Sequence, residues 1–166
     1  MDKIIYHVDR VKNIHTEDLP ESEMWEGVTW FRFEGSSNTL LEKYPIEWQL
    51  KTLASLVPSL PSTMSRIDIE LVLPDADSLA ELIQILLDLN TLIPNLDALH
   101  LECYYYFSPK ALPSTFLRAL SGWPQLQELH VAPLPDIHLV LPSLTNLQTL
   151  HLLRQLEGSR KKFLFS

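Results

Sequence analysis

The chain of 166 residues has the length of one domain, and its 46% hydrophobic and 20% charged content is typical of a folded protein with a sizeable core. Its formal net charge of −8 disfavours general attraction to nucleic acid or anionic membranes, whereas a basic or weakly charged partner is compatible with it. Cys103 is the only cysteine, so an internal disulfide is excluded and a reducing compartment is expected.

The N-terminal segment lacks the apolar stretch of a secretory signal. The most apolar segment, 79–92, is interrupted by charged and amide side chains, so no stretch resembles the roughly 18 apolar residues of a membrane span. We therefore expect a cytoplasmic or nuclear protein that binds neither membrane nor nucleic acid. We divide the chain into an irregular acidic segment or partial repeat at 1–24, a repeat domain at 25–156 and a tail at 157–166.

One apolar frame recurs five times along the chain, with apolar residues at its first, fourth and sixth positions. The last two of these positions are two residues apart, as in a strand that buries one face. The frames begin at Val28, Met64, Leu96, Leu126 and Leu147, at intervals of 36, 32, 30 and 21 residues. Such a repeat predicts parallel strands that are stacked in chain order.

Helical segments are predicted between the strands. Residues 46–56 place apolar side chains near one helical face, and so do residues 78–92. The second segment opens with Ser78 and Glu81 in the spacing of a capping box, in which the two side chains satisfy free amides of the first turn. A proline ahead of each later strand ends the preceding helix.

The later connections are shorter. Residues 113–120 begin with a proline and are followed by a glycine, which predicts a short helix. Residues 135–145 are too few for a full helix with its loops and are predicted to be extended or 3₁₀. Residues 11–14 are interpreted as the remnant of one more strand. The predicted fold is an α/β solenoid of about five repeats, with a parallel sheet on the concave side and helices on the convex side; the alternative is an ordinary α/β sheet whose strands are similar by coincidence.

The units of the form Leu-Pro-x-Leu-x-x-Leu-x-Leu resemble the degenerate leucine-rich repeats of F-box proteins, especially those of fungi, over roughly residues 25–153. The resemblance implies a leucine-rich-repeat solenoid that recruits substrates to a ubiquitin ligase. The chain departs from the family where an asparagine or cysteine usually follows the strand, since Tyr104, Leu134 and Gln155 stand there. Residues 19–21 are similar to the start of an F-box, but the first predicted strand follows too soon for its helices, so docking on the ligase adaptor is not implied.

The fifth and seventh frame positions point away from the core of such a repeat. Neighbouring strands lie about 4.8 Å apart, so the histidines at the fifth position of the last three repeats are expected to form a row, with Glu128 nearby. We expect a protein partner to bind this concave face. The predicted binding residues are Arg32, Glu34, Asp68, Glu70, His100, Glu102, Tyr104, Tyr105, His130 and His151.

Three interpretations of the row of His100, His130 and His151 are open. The histidines are tolerated exposed strand residues inherited from a common repeat unit, or they form a polar and pH-sensitive strip that contacts a protein, or they bind a metal. Zinc requires converging ligands in tetrahedral geometry, which parallel side chains in a straight row provide poorly. We therefore expect no metal and no other cofactor.

The aromatic run 103–107 is expected just after the third predicted strand. Its tyrosines either extend the binding surface from a loop or cover the end of the core, and Cys103 is expected to be a small buried hydrophobe.

The sequence contains no Gly-rich phosphate loop, no G-x-S-x-G elbow and no H-E-x-x-H motif, so we expect no enzymatic activity. The basic residues 160–162 are interpreted as a solvated end. The alternative to partner binding is a structural repeat domain within a larger assembly, and weakly capped ends of the solenoid favour self-association.

Overall fold

Six parallel strands form one sheet across the residues that the structure describes, and their order in the sheet follows the chain. The structure is a computed structural model, and it describes residues 3–7, 25–35, 44–105, 113–131 and 136–152. The predicted α/β class with a parallel sheet is confirmed. The strands are β1 (Lys3–His7), β2 (Trp30–Glu34), β3 (Arg66–Leu73), β4 (Ala98–Tyr105), β5 (Glu128–Val131) and β6 (Thr149–Leu152).

All five predicted strands are present, and each begins at the third position of its frame, as β2 does at Trp30. The first frame position lies in the preceding turn, where Val28 and Met64 are buried beneath the entrance to the strand. Strand β1 is not among the predicted strands. The predicted remnant strand at 11–14 and the residues 19–21 lie outside the described residues.

One backbone contact recurs at the entrance of four successive strands. The amides of Ser65 and Arg66 both donate to the carbonyl oxygen of Thr29, at 2.9 and 3.0 Å. The carbonyl groups of Ser65, Asp97 and Gln127 accept the corresponding pair of amides from the next strand. The second frame position therefore supplies the acceptor each time, and the repeat in the sequence corresponds to a repeat in backbone geometry.

Helices connect the central strands, and their positions agree with the predicted segments. The last connection, between β5 and β6, contains 3₁₀ turns, as predicted for so short a segment. Within the described parts of the chain, no helix is long and apolar enough to cross a bilayer. The helices are α1 (Ile46–Leu56), α2 (Ala76–Leu92) and α3 (Ser114–Ser121), and the 3₁₀ turns are Val57–Ser59, Ile137–Leu139 and Leu141–Ser143.

The N-terminus of α2 lies two residues before the predicted start, and the predicted capping box is wrong. Asp75 is the N-cap, and its carboxylate accepts from the amide of Ser78 at 2.8 Å, while the Ser78 hydroxyl lies 3.4 Å from the Asp75 amide. The box is therefore formed by Asp75 and Ser78, not by Ser78 and Glu81. A carboxylate at this position also faces the positive end of the helix dipole.

One hydrophobic core lies between the sheet and the helices. Phe31, Ile67 and Leu99 occupy the fourth frame position in register, and all three are fully buried. Leu53 of α1 and Leu86 of α2 belong to the same core. Because each such side chain contributes about 1.5–3 kcal/mol when it is fully buried, this side of the sheet supplies most of the stability.

The helices all lie on one side of the sheet. Helix α1 packs on α2 and α2 on α3, and their buried side chains share one core with the fourth and sixth frame positions of β2 to β5. Successive strand residues point to opposite sides, so the third, fifth and seventh frame positions face away from the helices. In the described residues, no helix lies over that second side.

The aromatic run differs from the prediction, because β4 continues to Tyr105 through its pairing with Leu73 on β3. Cys103 and Tyr104 therefore lie within a strand, not in a loop after it. Cys103 is buried, as predicted, and Tyr104 is 39% exposed. Residues 106–107 lie outside the described residues.

Candidate functional site

The side of the sheet that faces away from the helices carries rows of polar side chains. The rows arise because neighbouring strands pair in register, and the predicted row of three histidines is present. We call the following residues, together with Tyr104, the polar strand face. The rows are Trp30, Arg66, Ala98, Glu128 and Thr149; then Arg32, Asp68, His100, His130 and His151; then Glu34, Glu70 and Glu102.

Asp68 is the one charged residue that is buried in the described part of the chain, with 4% of its surface exposed. Its carboxylate accepts from the indole of Trp30 at 3.0 Å and from Arg66 Nε at 2.9 Å. The Arg66 guanidinium lies 4.4 Å above the Trp30 ring centroid. A buried charge is tolerated when it is paired and hydrogen-bonded in this way, and the arrangement fixes all three side chains.

Arg32 lies among carboxylates. Its guanidinium is 2.7 Å from Glu34, 3.0 Å from Glu70 and 3.9 Å from Asp68. Burial lowers the pKa of Arg32, but the carboxylates, led by Glu34, raise it further, so the side chain stays cationic. These contacts span β2 and β3. They connect the buried Asp68 to the start of the row formed by Glu34, Glu70 and Glu102, which we call the acidic row.

The acidic row continues onto β4 with Glu102, which Arg32 does not contact. Glu70 and Glu102 stand opposite each other in the β3–β4 register. Burial raises the pKa of Glu70 and the Glu102 carboxylate adds to this effect, so that together they outweigh Arg32. The Tyr104 hydroxyl donates to Glu102 at 2.6 Å, and this hydrogen bond is the main cause that raises the pKa of Tyr104 to about 12. This end of the face therefore presents carboxylates that a cationic group of a partner would neutralise.

The histidine rings stack on one another. The ring centroids of His100 and His130 are 3.6 Å apart with an interplanar angle of 11°, and those of His130 and His151 are 4.2 Å apart at 3°. Burial lowers the pKa of His130, and so do His100 and His151, because protonated neighbours would repel a further charge. Glu128 opposes this effect but does not cancel it.

Glu128 joins two of the three histidines. Its Oε1 atom lies 2.9 Å from His100 Nε2 and 2.7 Å from His130 Nε2. Partial burial raises the pKa of Glu128, but the hydrogen bond and charge of His100, with His130 and Arg66, lower it overall. Glu128, which lies outside the histidine row, brings three possible ligand atoms together, since those of His100, Glu128 and His130 all lie within 4.8 Å of one another.

The contacts of His100 favour one tautomer of its neutral ring. Arg66 Nη2 lies 2.9 Å from His100 Nδ1, and a guanidinium only donates, so in the neutral ring Nδ1 accepts and Nε2 carries the proton that faces Glu128. His130 differs, because its Nε2 atom is buried and makes no hydrogen bond despite its distance of 2.7 Å from the carboxylate. A short contact without hydrogen-bond geometry leaves this nitrogen without a proper partner.

Most of the predicted binding residues are brought together on the polar strand face. The exception is Tyr105, which lies on β4 but whose side chain is outside the described residues. The prediction omits Trp30, Arg66 and Glu128, which make most of the contacts that order the face. All three occupy the third frame position, so the alternation of the strand is the signal that identifies them.

A shallow depression on the face is lined by Arg32, Asp68, Glu70, His100 and Glu102 and has a volume of about 40 Å³. That volume holds little more than a water molecule, and it is far below the roughly 300 Å³ of a typical small-molecule pocket. This depression is therefore too small to enclose a typical small molecule.

Comparison with models of protein families, with curated proteins and with solved structures found no match to this chain.

Proposed function

We propose that this protein is a leucine-rich-repeat solenoid that binds another protein through the polar strand face, in the manner of the substrate-recruiting half of F-box proteins, and that it catalyses no reaction itself. The solenoid proposal rests on the backbone contact that recurs at four strand entrances, together with a strand order that follows the chain. A repeat of this kind adds one strand at a time to the same face, which produces an extended surface for a partner.

The observation that carries the binding proposal is the ordering of the polar strand face. Trp30, Arg66 and His100 are held around the buried Asp68 by contacts of 2.9 to 3.5 Å. Side chains that are fixed before binding lose less conformational entropy when a partner docks, so such a surface binds more tightly than a mobile one. The contacts of His100 and His130 are to carboxylates, a guanidinium and one another, an arrangement that orders a surface.

The acidic row favours a partner with exposed basic side chains. Glu70 and Glu102 stand next to each other, and burial and mutual repulsion raise the pKa of Glu70. An arginine or lysine from a partner would relieve that repulsion and form charge-assisted hydrogen bonds. The net charge of −8 would speed the approach of such a partner.

Affinity capture with paired variants tests the proposal. The face variant carries Glu70→Gln and Glu102→Gln, and the control carries Glu47→Gln and Glu81→Gln, which remove the same charge from exposed positions on α1 and α2. We expect the wild type and the control to retain the same partner and the face variant to lose it, with binding that weakens as salt increases. Equal capture by both variants would contradict the proposal.

A structural role in a larger assembly is the second candidate. Strand β6 lies at the edge of the described sheet, where Leu152 is 49% exposed, and Leu139 in the 3₁₀ turn that precedes it is 56% exposed. An edge strand with exposed apolar side chains is suited to pairing with another chain. This candidate predicts that Leu152→Lys changes the assembly state, whereas substitutions on the polar strand face do not.

A further inference from the structure

We propose that His100, Glu128 and His130 form a binding site for one divalent metal ion of the zinc class. The proposal goes beyond partner binding and does not depend on it. The three ligand atoms come from two neighbouring strands and lie within 4.8 Å of one another. Two imidazole nitrogens and a carboxylate oxygen are a ligand set that zinc accepts, with a fourth position left for water or for a group from a partner.

The distances from Glu128 Oε1 to the two Nε2 atoms must increase before an ion can lie between them. Glu128 Oε1 lies 2.9 and 2.7 Å from the Nε2 atoms of His100 and His130. Ligands at zinc bond lengths in tetrahedral geometry are separated by about 3.3 Å, so each contact must open by roughly half an ångström. The Glu128 side chain is 34% exposed and so has room for such an adjustment.

The strands supply a rigid base for the ligands. His100 and His130 are register partners on β4 and β5, and Glu128 precedes His130 by two residues, so all three point to the same side. Both Nε2 atoms already lie beside the same carboxylate oxygen, but the rings are stacked at 11°, so the His130 ring must rotate to bring an ion into its plane. The strand pairing holds the backbone of both residues during this rotation.

The metal-free contacts leave one ligand poorly satisfied. His130 Nε2 is buried and makes no hydrogen bond, although a carboxylate oxygen is 2.7 Å away. When this nitrogen carries a lone pair, it faces the negative charge of Glu128 at short range, which is unfavourable. A cation between the two atoms would replace that contact with two coordination bonds.

The buried carboxylate of Asp68 lies next to His100 Nδ1, on the opposite side of the ring from the proposed metal site. To bind through Nε2, His100 must carry its proton on Nδ1, which requires a shift of that proton from one ring nitrogen to the other and no net change in protonation. Nδ1 lies 3.5 Å from the buried Asp68 carboxylate, which accepts such a proton in the carboxylate–histidine–metal arrangement. Arg66 Nη2 now lies 2.9 Å from Nδ1 and would have to move away from it, whereas Arg66 contacts Asp68 at 2.9 Å through a different atom, Nε.

Metal binding by the untagged full chain after chelator treatment tests the proposal. We expect Zn²⁺ to bind with one equivalent per chain in calorimetry, and Co²⁺ in its place to give the intense visible absorption of tetrahedral coordination. Glu128→Gln and His130→Gln should each weaken binding by more than about tenfold, and Asp68→Asn, which removes a supporting contact, by about tenfold. His138→Gln, a substitution of an exposed histidine outside the cluster, should leave binding unchanged.

A second measurement on the wild type keeps the test valid if a variant fails to fold. Long-range proton–nitrogen NMR spectra should show that Zn²⁺ shifts the Nε2 signals of His100 and His130 and leaves those of His138 unchanged. Absence of stoichiometric binding by the wild type, equal binding by Glu128→Gln, or a shift confined to other histidines would each overturn the proposal.

Discussion

His100 and His130 lie face to face on neighbouring strands, with ring centroids 3.6 Å apart, and their Nε2 atoms meet the same oxygen of Glu128. The positions of these three residues in the repeat frame account for their being neighbours. The fifth frame position places one ring above the next, and the third frame position, at the start of β5, supplies the carboxylate between them. Buried Asp68 on the next strand, in turn, extends the same network to Arg66 and Trp30.

Asp68→Ala should destabilise the fold by about 2 kcal/mol. The substitution leaves the Trp30 indole and the Arg66 guanidinium without their common acceptor, which costs more than the loss of a surface ion pair. Urea denaturation measures the change in the free energy of unfolding. Asp88→Ala, on the exposed side of α2, is the control, and we expect its effect to stay within about 0.5 kcal/mol. Equal effects of the two substitutions would mean that the Asp68 network does not stabilise the sheet.

Glu102→Gln should lower the pKa of both Glu70 and Tyr104. Glu102 raises the pKa of Glu70 by repulsion, and it raises the pKa of Tyr104 to about 12 by accepting a hydrogen bond from its hydroxyl group and by its charge. NMR titration of the Glu70 carboxyl and the Tyr104 ring measures both values. Glu81→Gln on α2 should change neither, and an unchanged Tyr104 pKa in Glu102→Gln would contradict the hydrogen bond.

The raised pKa of Glu70 also defines a pH dependence of stability. The folded chain holds the Glu70 proton more tightly than the unfolded chain, whose ordinary value is 4.5, so the unfolded chain ionises first as pH rises. The contribution of Glu70 to stability is therefore greatest below 4.5 and declines as pH rises through the folded pKa. In Glu102→Gln this decline should occupy a narrower pH range, and stability curves of the two proteins between pH 4 and pH 7 measure the difference.

Asp75→Ala should lower stability more than Glu81→Ala does. Asp75 caps α2 through the Ser78 amide at 2.8 Å, whereas Glu81 is an exposed residue of the helix. The Ser78 amide and hydroxyl lower the pKa of Asp75 below its ordinary value of 3.8, so this contribution is present above that value and is lost as pH falls through the folded pKa. Thermal unfolding at neutral pH compares the two variants. A larger loss for Glu81→Ala would restore the capping box predicted from the sequence.

Trp123→Phe should destabilise the fold by about 1–2 kcal/mol. The indole is fully buried and its Nε1 donates to the carbonyl oxygen of Ile93 at 2.9 Å, so the substitution removes a hydrogen bond and part of the packing between α3 and the end of α2. Chemical denaturation measures the loss. Trp48→Phe, on a half-buried residue of α1, should have a smaller effect, and the reverse order would contradict the described core.

The strands and helices were predictable because each depends on local pattern. Apolar residues two apart identify strands such as β3, and a face of spaced leucines identifies α2. The start of α2 was misplaced because Ser78 resembles an N-cap, and only the extended conformation of Asp75 shows that the cap lies earlier. Strand β4 was predicted too short, since its last residues are extended by pairing with Leu73 and its neighbours and not by their own sequence.

The rows of the polar strand face were predictable in order but not in chemistry. In-register pairing of a repeat places His100 beside His130, so their stacking follows from the frame. The convergence on Glu128 depends on rotamers and on a residue from a different row, which no periodicity specifies. For the same reason the role of Arg66, which contacts both Asp68 and His100, had no signal beyond its strand alternation.

Site-specific photo-crosslinking in the native cell tests whether a protein partner binds the polar strand face. A photoreactive phenylalanine derivative is placed at Tyr104, which is exposed on the polar strand face, and in a second protein at Glu81, which is exposed on α2. We expect one protein adduct that forms from position 104, disappears when Glu70→Gln is added, and does not form from position 81. An adduct that forms from position 81 and not from position 104 would contradict this expectation.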